Sequence, residues 1–495
     1  MLHSTALLGL KLTSLRSASA TVTPKLTIAS IAPIAPTAPV APAAPAARSS
    51  APLLLGEVLD SVQRHFPAII AAQKEQRAAE AELLAARGGF DPLLRLRAEG
   101  AVLGYYQNGR LDVSLEQPTP LWGTRFFAGW RLGTGSFADY DGKLETNEYG
   151  EVRVGAVVPL WRNGPIDRTR AAIKRAAVGQ TLAAQGVAQQ RLEAVRLGSQ
   201  RYWEWTAAGQ RLHIAHSLQR LAAERDAALA QRVRHGDLPE IERIDNQRLI
   251  LSRQSLLIAA QRGLEQAQIE LSIYLRDARG EPWLVPAERL PRELPLPEPR
   301  ALTSERLAAD IQTALARRPE AERLRLQLEQ LGIDRDLAKN QLAPAVDVGL
   351  AFSQDLGAGS STRTPPVLEG SVLFDMPIPN RTAKGRLGAT EAQMARLQAQ
   401  ARLVRDRICA EVQDVQSLLR TTEQRVALAR AELQLAQKVE TAEHQRFELG
   451  DSTLVLVNLR EQATADAALR ETDARLDYQR AQVLYSAVLA GAPAG

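Results

Sequence analysis

The sequence predicts a mainly helical protein with a smaller β component, built from one helix–strands–long helix–helix unit used twice. Landmark residues recur in the same order in both halves of its 495 residues. Two helical runs are far longer than an ordinary globular helix. Two segments bounded by glycine and proline shorten the hydrophobic period to two.

The repeat sets the frame. Pro67 follows Phe66 and opens an Ala/Glu/Gln-rich run; it matches Pro319 after Arg318. Pro92 matches Pro344, and both pairs are 252 residues apart. Val158-Pro159-Leu160 corresponds to Met376-Pro377-Ile378, and Arg232 with Gly236-Asp237 corresponds to Arg446 with Gly450-Asp451. The first repeat therefore occupies 53–277: a helix, strands at 93–160, a long helix at 165–235 and a return helix at 238–277. The second occupies 302–490: a helix, strands at 345–377, a long helix at 382–449 and a return helix at 452–490. Residues 278–301 cross between them.

Ahead of the repeats, residues 1–28 are a candidate export signal. Ala6-Leu7-Leu8-Gly9-Leu10 is apolar, yet no cation precedes it and Lys11 interrupts it, whereas a secretory signal places its charges first. Residues 29–52 read as an Ala/Pro-rich linker. Pro33, Pro36, Pro39, Pro42 and Pro45 recur every third residue, the spacing of polyproline II.

No strong breaker interrupts the sequence from Asp167 to His235 or from Thr382 to Leu449; Gly179, Gly186, Gly198 and Gly209 only weaken the first run. At about 1.5 Å per residue each run spans roughly 100 Å. Val412, Val415, Leu419, Thr422, Val426, Ala429, Leu433 and Ala436 alternate spacings of three and four. Leu469, Leu476 and Val483 recur at seven on the returning helix. Such seams pack helix on helix as in a coiled coil. A single pair this long cannot bury enough surface, so assembly with further copies is expected.

Within the extended segments, Leu94, Leu96 and Ala98 alternate with Arg95, Arg97 and Glu99. Val152, Val154, Ala156 and Val158 form a second series, and Val346, Val348, Leu350 and Phe352 a third. Apolar–polar alternation bounded by Gly-rich loops is the pattern of a transmembrane β-barrel strand; an ordinary half-buried sheet packed on helices reads the same way. Ten of the 22 aromatic residues fall within 105–161. Tyr105, Tyr106, Trp122, Phe126, Phe127, Trp130, Trp161 and, from the second half, Phe374 are candidates for an interfacial girdle.

Composition excludes several classes. Net charge is +5, but residues 1–52 carry four cations and no acid, so the body is nearly neutral. That balance argues against nucleic-acid binding, which needs clustered cations. Cys409 is the single cysteine, which rules out an intrachain disulfide and a thiolate metal cluster. No apolar run of about 18 residues is present, so no transmembrane helix is expected.

Candidate functional residues cluster at the two Gly-Asp turns. Gly236 and Gly450 fit helix C-caps with positive φ, and Arg232 and Arg446 complement the helix dipole one turn earlier. Asp237, Glu240 and Glu242 open one returning helix and Asp451 the other. Caps or a ring of acids at a constriction would both use them. His213 and His216 share a helix face without a local third metal ligand. Gly133-Thr134-Gly135 lacks the context of a phosphate loop. Trp203, Trp205 and Cys409 read as packing residues. No nucleophile, base and orienter trio stands out, so neither an enzyme nor a cofactor is expected.

Taken together, the duplicated order, the paired prolines, the Val158-Pro159-Leu160 and Met376-Pro377-Ile378 motifs and the Arg-x3-Gly-Asp turns resemble the TolC-like outer membrane efflux protein family. The resemblance covers about residues 53–490. It implies a homotrimer in which each chain gives four strands to one shared barrel and its helices to a periplasmic tunnel. It further implies an outer membrane location in a Gram-negative-type bacterium, contact with outer membrane lipid, and an equatorial position for residues 278–301. The helix tips at Arg232, Gly236, Arg446 and Gly450 would dock a periplasmic adaptor (membrane fusion protein) of an inner-membrane transporter. Asp237, Glu240 and Asp451 would form a periplasmic gate. The implied function is the channel of a tripartite efflux or type I secretion system, its cargo open. A coiled-coil scaffold outside the membrane is the alternative. One departure stands out: the first extended region spans 67 residues between its prolines against 33 in the second. Its surplus, around Leu111–Glu116 and Phe126–Leu132, would prolong a hairpin or add strands.

Overall fold

A computed structural model describes residues 51–298 and 303–491. The candidate export signal and nearly all of the linker lie outside these residues. Helices α1 (Leu55–His65) and α2 (Pro67–Arg87) lead into strands β1 (Leu93–Ala101), β2 (Asn108–Pro118), β3 (Arg125–Gly135) and β4 (Glu151–Pro159). Helices α3 (Arg168–Arg234) and α4 (Glu240–Ser272) close the first repeat. The second contains α5 (Ser304–Arg317), α6 (Pro319–Asn340), β5 (Ala345–Asp355), β6 (Val367–Asp375), α7 (Arg381–Glu448) and α8 (Leu454–Val488).

Local chemistry accounts for the helix boundaries. Pro67 and Pro319 occupy the first turn of α2 and α6, where a missing N–H costs nothing. The Asp167 carboxylate accepts the Arg170 N–H at 2.7 Å and starts α3, as a side-chain N-cap should. From there α3 and α7 run unbroken for 67 and 68 residues.

The six strands among the described residues form one antiparallel sheet in chain order, β1 to β6. This corrects the expected four. The surplus in the first repeat is the β2–β3 hairpin, which pairs along its whole length, from Asn108 opposite Gly135 to Pro118 opposite Arg125. Asymmetry between the repeats is therefore real: four strands come from the first and two from the second. Strand β4 pairs with β5 from Glu151–Asp355 to Pro159–Asp347 and so stitches the repeats together.

Packing concentrates at the level where the short helices meet the long ones. On α7 the seam residues Val412, Val415, Leu419, Thr422 and Val426 are buried. The α8 residues in their cluster are Ala474, Tyr478, Ala481, Tyr485 and Val488. Leu476 and Val483, the expected heptad positions, pack instead in the cluster of α1, α3 and α4. Helix α8 thus carries two apolar stripes, one for each repeat. The connecting segment runs over it: Arg475 donates to the Leu294 carbonyl at 3.1 Å and Gln479 to that of Pro295 at 3.2 Å.

Trp205 is the largest fully buried side chain, with Tyr202 and Trp203 beside it. The Tyr202 hydroxyl donates to the Leu53 carbonyl at 2.9 Å, and burial pushes its pKa up to about 12. Trp203 and Trp205 are packing residues, as the sequence suggests. Replacing Trp205 with Ala should destabilise the fold by about 3–5 kcal/mol through the cavity left behind. Urea denaturation followed by far-ultraviolet circular dichroism measures the loss.

Candidate functional site: the two sheet faces and the helix tips

Register aligns the side chains of all six strands into two unlike faces. One carries Leu94, Leu96, Val113, Leu115, Phe126, Trp130, Val152, Val154, Val348, Leu350, Phe352, Leu368, Val372 and Phe374, because the register sets each of them across the ladder from another of these residues or from Ala128, Ala156, Val346 or Gly370 on the same face. Most are exposed despite being large and apolar. A monomer in water rarely tolerates so extensive an apolar patch. The strands are 9 or 11 residues long, against about 9–11 for a tilted strand that crosses a bilayer.

The opposite face is ionic. Arg95 meets Glu116 at 2.9 Å and Arg153 meets Asp112 at 2.7 Å. Glu99 is shared by Arg97 and Arg110, and Arg131 contacts Glu151. A wet lumen satisfies such a surface, since the charges stay hydrated while they pair.

Of the aromatic candidates, Tyr105 and Tyr106 stack edge to face in the β1–β2 loop at 4.9 Å. Trp130 lies at the middle of β3, its indole N–H donated to the Tyr149 carbonyl at 2.8 Å. Trp122, Phe126, Trp161 and Phe374 gather at the opposite end, where the strands join the helices, and all four are exposed. Phe127 is the exception. Neighbouring residues on a strand point to opposite faces, and Phe127 pairs with Gly155 on the ionic face. A Cβ on Gly155 would lie 2.5 Å from the Phe127 ring, so that glycine makes room for the ring.

The two Gly-Asp turns are superimposable in their hydrogen bonding. Asp237 N–H donates to the Arg232 carbonyl at 2.9 Å, and Gly236 N–H to that of Val233 at 3.1 Å. Asp451 and Arg446, and Gly450 and Phe447, repeat the pattern at 2.8 and 3.2 Å. This is the Schellman arrangement, and both glycines have φ of +80°. Arg232, Gly236, Asp237, Glu240, Arg446, Gly450 and Asp451 are all exposed. The acids do not cap the returning helices: α4 begins at Glu240 behind Pro239, and α8 at Leu454 behind Thr453.

The side chains around the turns differ. Buried Glu443 accepts the Ser452 hydroxyl at 2.5 Å and lies near Arg446 and Arg460, each at 3.7 Å. That hydroxyl and the two guanidiniums hold its carboxyl below the ordinary value of 4.5, against the effect of burial. No comparable clamp closes the first turn among the described residues.

A second buried cluster escaped sequence reasoning. Glu461 on α8 is enclosed by Arg225 of α3, Arg253 of α4 at 3.0 Å and His444 of α7 at 3.4 Å. Arg253 also donates to the Leu218 carbonyl at 2.9 Å. One carboxylate thereby ties together the long helices α3, α4, α7 and α8. The only sequence signal is an acid on the inner face of α8, which is invisible without the partners. His213 and His216 take no part in a metal site; among the described residues no group of three ligands is assembled. No described helix is long and apolar enough to cross a membrane.

No protein-family profile and no curated protein matches the chain. Solved structures do. The chain is similar to the VceC outer membrane protein of Vibrio cholerae, with TM-score 0.62 and 14% identity over 89% of this chain and 97% of that one. It is also similar to the CmeC outer membrane channel of Campylobacter jejuni, with TM-score 0.62 and 12% identity over 88% and 86%. The open-state MtrE outer membrane channel of Neisseria gonorrhoeae gives TM-score 0.61 and 14% identity over 88% and 89%. The chain has the fold of these outer membrane channels, which is the fold its resemblance to the TolC-like family implies.

Two outcomes test the clusters near the turns. Glu461→Ala, which strands Arg253 in the interior, should cost about 3–5 kcal/mol, read as a lower urea midpoint and as protease nicking of α3 and α7. A depressed carboxyl stabilises fully above its ordinary pKa and loses its effect as pH falls through the folded value. Amide-exchange protection of the 446–453 turn should therefore hold from neutral pH to 4.5 and decline below it. Glu443→Gln should abolish that decline.

Proposed function

We propose that this chain is one subunit of a homotrimeric outer membrane channel that passively conducts cargo received from an inner-membrane transporter through a periplasmic adaptor. The observation that carries the reading is the sheet: an exposed apolar face, an ionic face, strands of bilayer-crossing length and two open edges. Three copies supply eighteen strands, enough to leave an aqueous channel when closed. The apolar face then meets lipid and the ionic face lines the lumen. Aromatics at both ends of the strands fit the two headgroup levels.

The helices continue the conduit below the membrane. Ile244, Leu251 and Ile258 on α4 are exposed at intervals of seven, as are Leu428 and Leu435 on α7. Heptad stripes without an intrachain partner suit packing against further copies. A scaffold outside the membrane would leave the apolar sheet face in water, which disfavours the alternative.

Adaptor docking is assigned to the exposed turns carrying Arg232, Gly236, Arg446 and Gly450. Asp237, Glu240 and Asp451, repeated threefold, would form an acidic ring that attracts cations at the narrow end. The work is positional and electrostatic, without any bond made or broken, so no enzymatic activity or cofactor is involved. Cargo would be set by the transporter.

The expected behaviour is retention in the outer membrane fraction after carbonate washing and discrete conductance from the detergent-purified trimer in planar bilayers. A freely soluble monomer would overturn the reading. Asp237→Ala and Asp451→Ala should each lower cation preference; unchanged selectivity in both removes the gate while sparing the channel.

A further inference from the structure

We infer that neighbouring copies are joined by an ionic clasp between Arg95 on β1 of one and Asp375 on β6 of the next, which sets the register of an eighteen-stranded ring. The inference rests on the reading of the chain as a barrel subunit and goes on to specify its seam. Every residue of β1 and of β6 is exposed, and these are the two strands that end the sheet. An unpaired edge is a template for another strand. Because the strands alternate in direction and number six, β6 of one copy and β1 of the next meet antiparallel, like every other pair in the sheet.

Charge makes the edges complementary. On the ionic face, strands β1–β4 carry six arginines against four acids. Arg95 and Arg125 both turn to Glu116, and Arg97 and Arg110 both turn to Glu99. Strands β5 and β6 carry Asp347, Asp355, Glu369 and Asp375 on that face and no cation at all. Among the described residues, Asp347 Oδ1 is buried without a hydrogen bond, and neither Glu369 nor Asp375 meets a cation. A sheet cationic at one edge and anionic at the other suits head-to-tail association, which closes into a ring where the rotation per copy permits.

Geometry then narrows the register. A row across the strands runs Leu93, Glu116, Phe127, Gly155, Ala351 and Glu369. It must reach the next β1 at a residue on the same face: Arg97, Glu99 or Ala101. These endings displace the row by four, six or eight residues per copy. With about 3.3 Å per residue and 4.7 Å between strands, the tilts are about 25°, 35° and 43°. Closed barrels tilt by about 35–45°, so the first ending fails. The second opposes Glu99 to Glu369, a like-charge pair that repels. The third opposes Arg95 to Asp375, Glu99 to Ser371 and, on the apolar face, Leu96 to Phe374. Charge and tilt agree only there.

The test uses the full chain in detergent, with Cys409→Ser removing the native thiol. Arg95→Cys with Asp375→Cys should yield covalent dimers and trimers on oxidation, whereas Glu99→Cys with Glu369→Cys should yield several-fold less. Separately, Arg95→Asp and Asp375→Arg should each reduce the detergent-resistant trimer by roughly tenfold, and the double variant should restore it. Preferential cross-linking of the second cysteine pair, absence of cross-linking by both pairs in an intact trimer, or no rescue in the double variant overturns the clasp. A wild-type chain that forms no trimer overturns the channel reading itself.

Discussion

A strand at the edge of a sheet must find a partner for its backbone groups, and inside a bilayer no water can serve. Each unsatisfied N–H or C=O costs several kcal/mol in hydrocarbon, and a nine-residue edge presents a whole row of them. Strands β1 and β6 are such edges, flanking a sheet whose apolar face is left open. The strand number is even, so the two edge strands run in opposite directions. On β1–β4 the ionic face pairs its charges within the sheet, whereas Glu369 and Asp375 on β6 meet no cation among the described residues. The long helices α4 and α7 expose further apolar residues at intervals of seven.

Below the sheet the molecule is organised around α8. Its two apolar stripes engage α7 on one side and α1, α3 and α4 on the other. Where those stripes give out, Glu461 continues the bridge, gripped by side chains of α3, α4 and α7. Burying a carboxylate is tolerable only with such compensation. Placing the node among the long helices couples their packing to one another while leaving the exposed turns free to take part in contacts. The second turn is clamped through Glu443 and the first is not, so the duplicated hairpins are not mechanically equivalent.

Duplication explains both the economy and the asymmetry of the chain. The helical parts of the two repeats match in length almost residue for residue, because each must span the same height. The strands carry no such obligation: a hairpin added within one repeat widens the shared sheet without disturbing what lies below it. The β2–β3 pair enters between β1 and β4 and keeps the alternation of faces intact. An insertion of an odd number of strands would have reversed an edge and spoiled antiparallel closure.

What the sequence determined alone is what depends on neighbours close in the chain. Helix starts at Pro67, Pro319 and Asp167, the Gly236 and Gly450 turns and the α7 seam from Val412 to Val426 are all legible, because capping and periodicity act within one or two turns. Even the apolar–polar alternation reads directly from β1 and β4. Tertiary structure decided everything that joins distant segments. The alternating stretches near Leu111 and Phe126 could have extended a hairpin or made new strands, and only pairing with β1 and β4 selects the latter. Phe126 and Phe127 look alike until register gives them opposite faces. Leu476 and Val483 announce a heptad seam without saying which helix it meets. Arg225, Arg253, His444 and Glu461 span more than two hundred residues, and polar groups so far apart in sequence acquire a common purpose only when the fold removes water from between them.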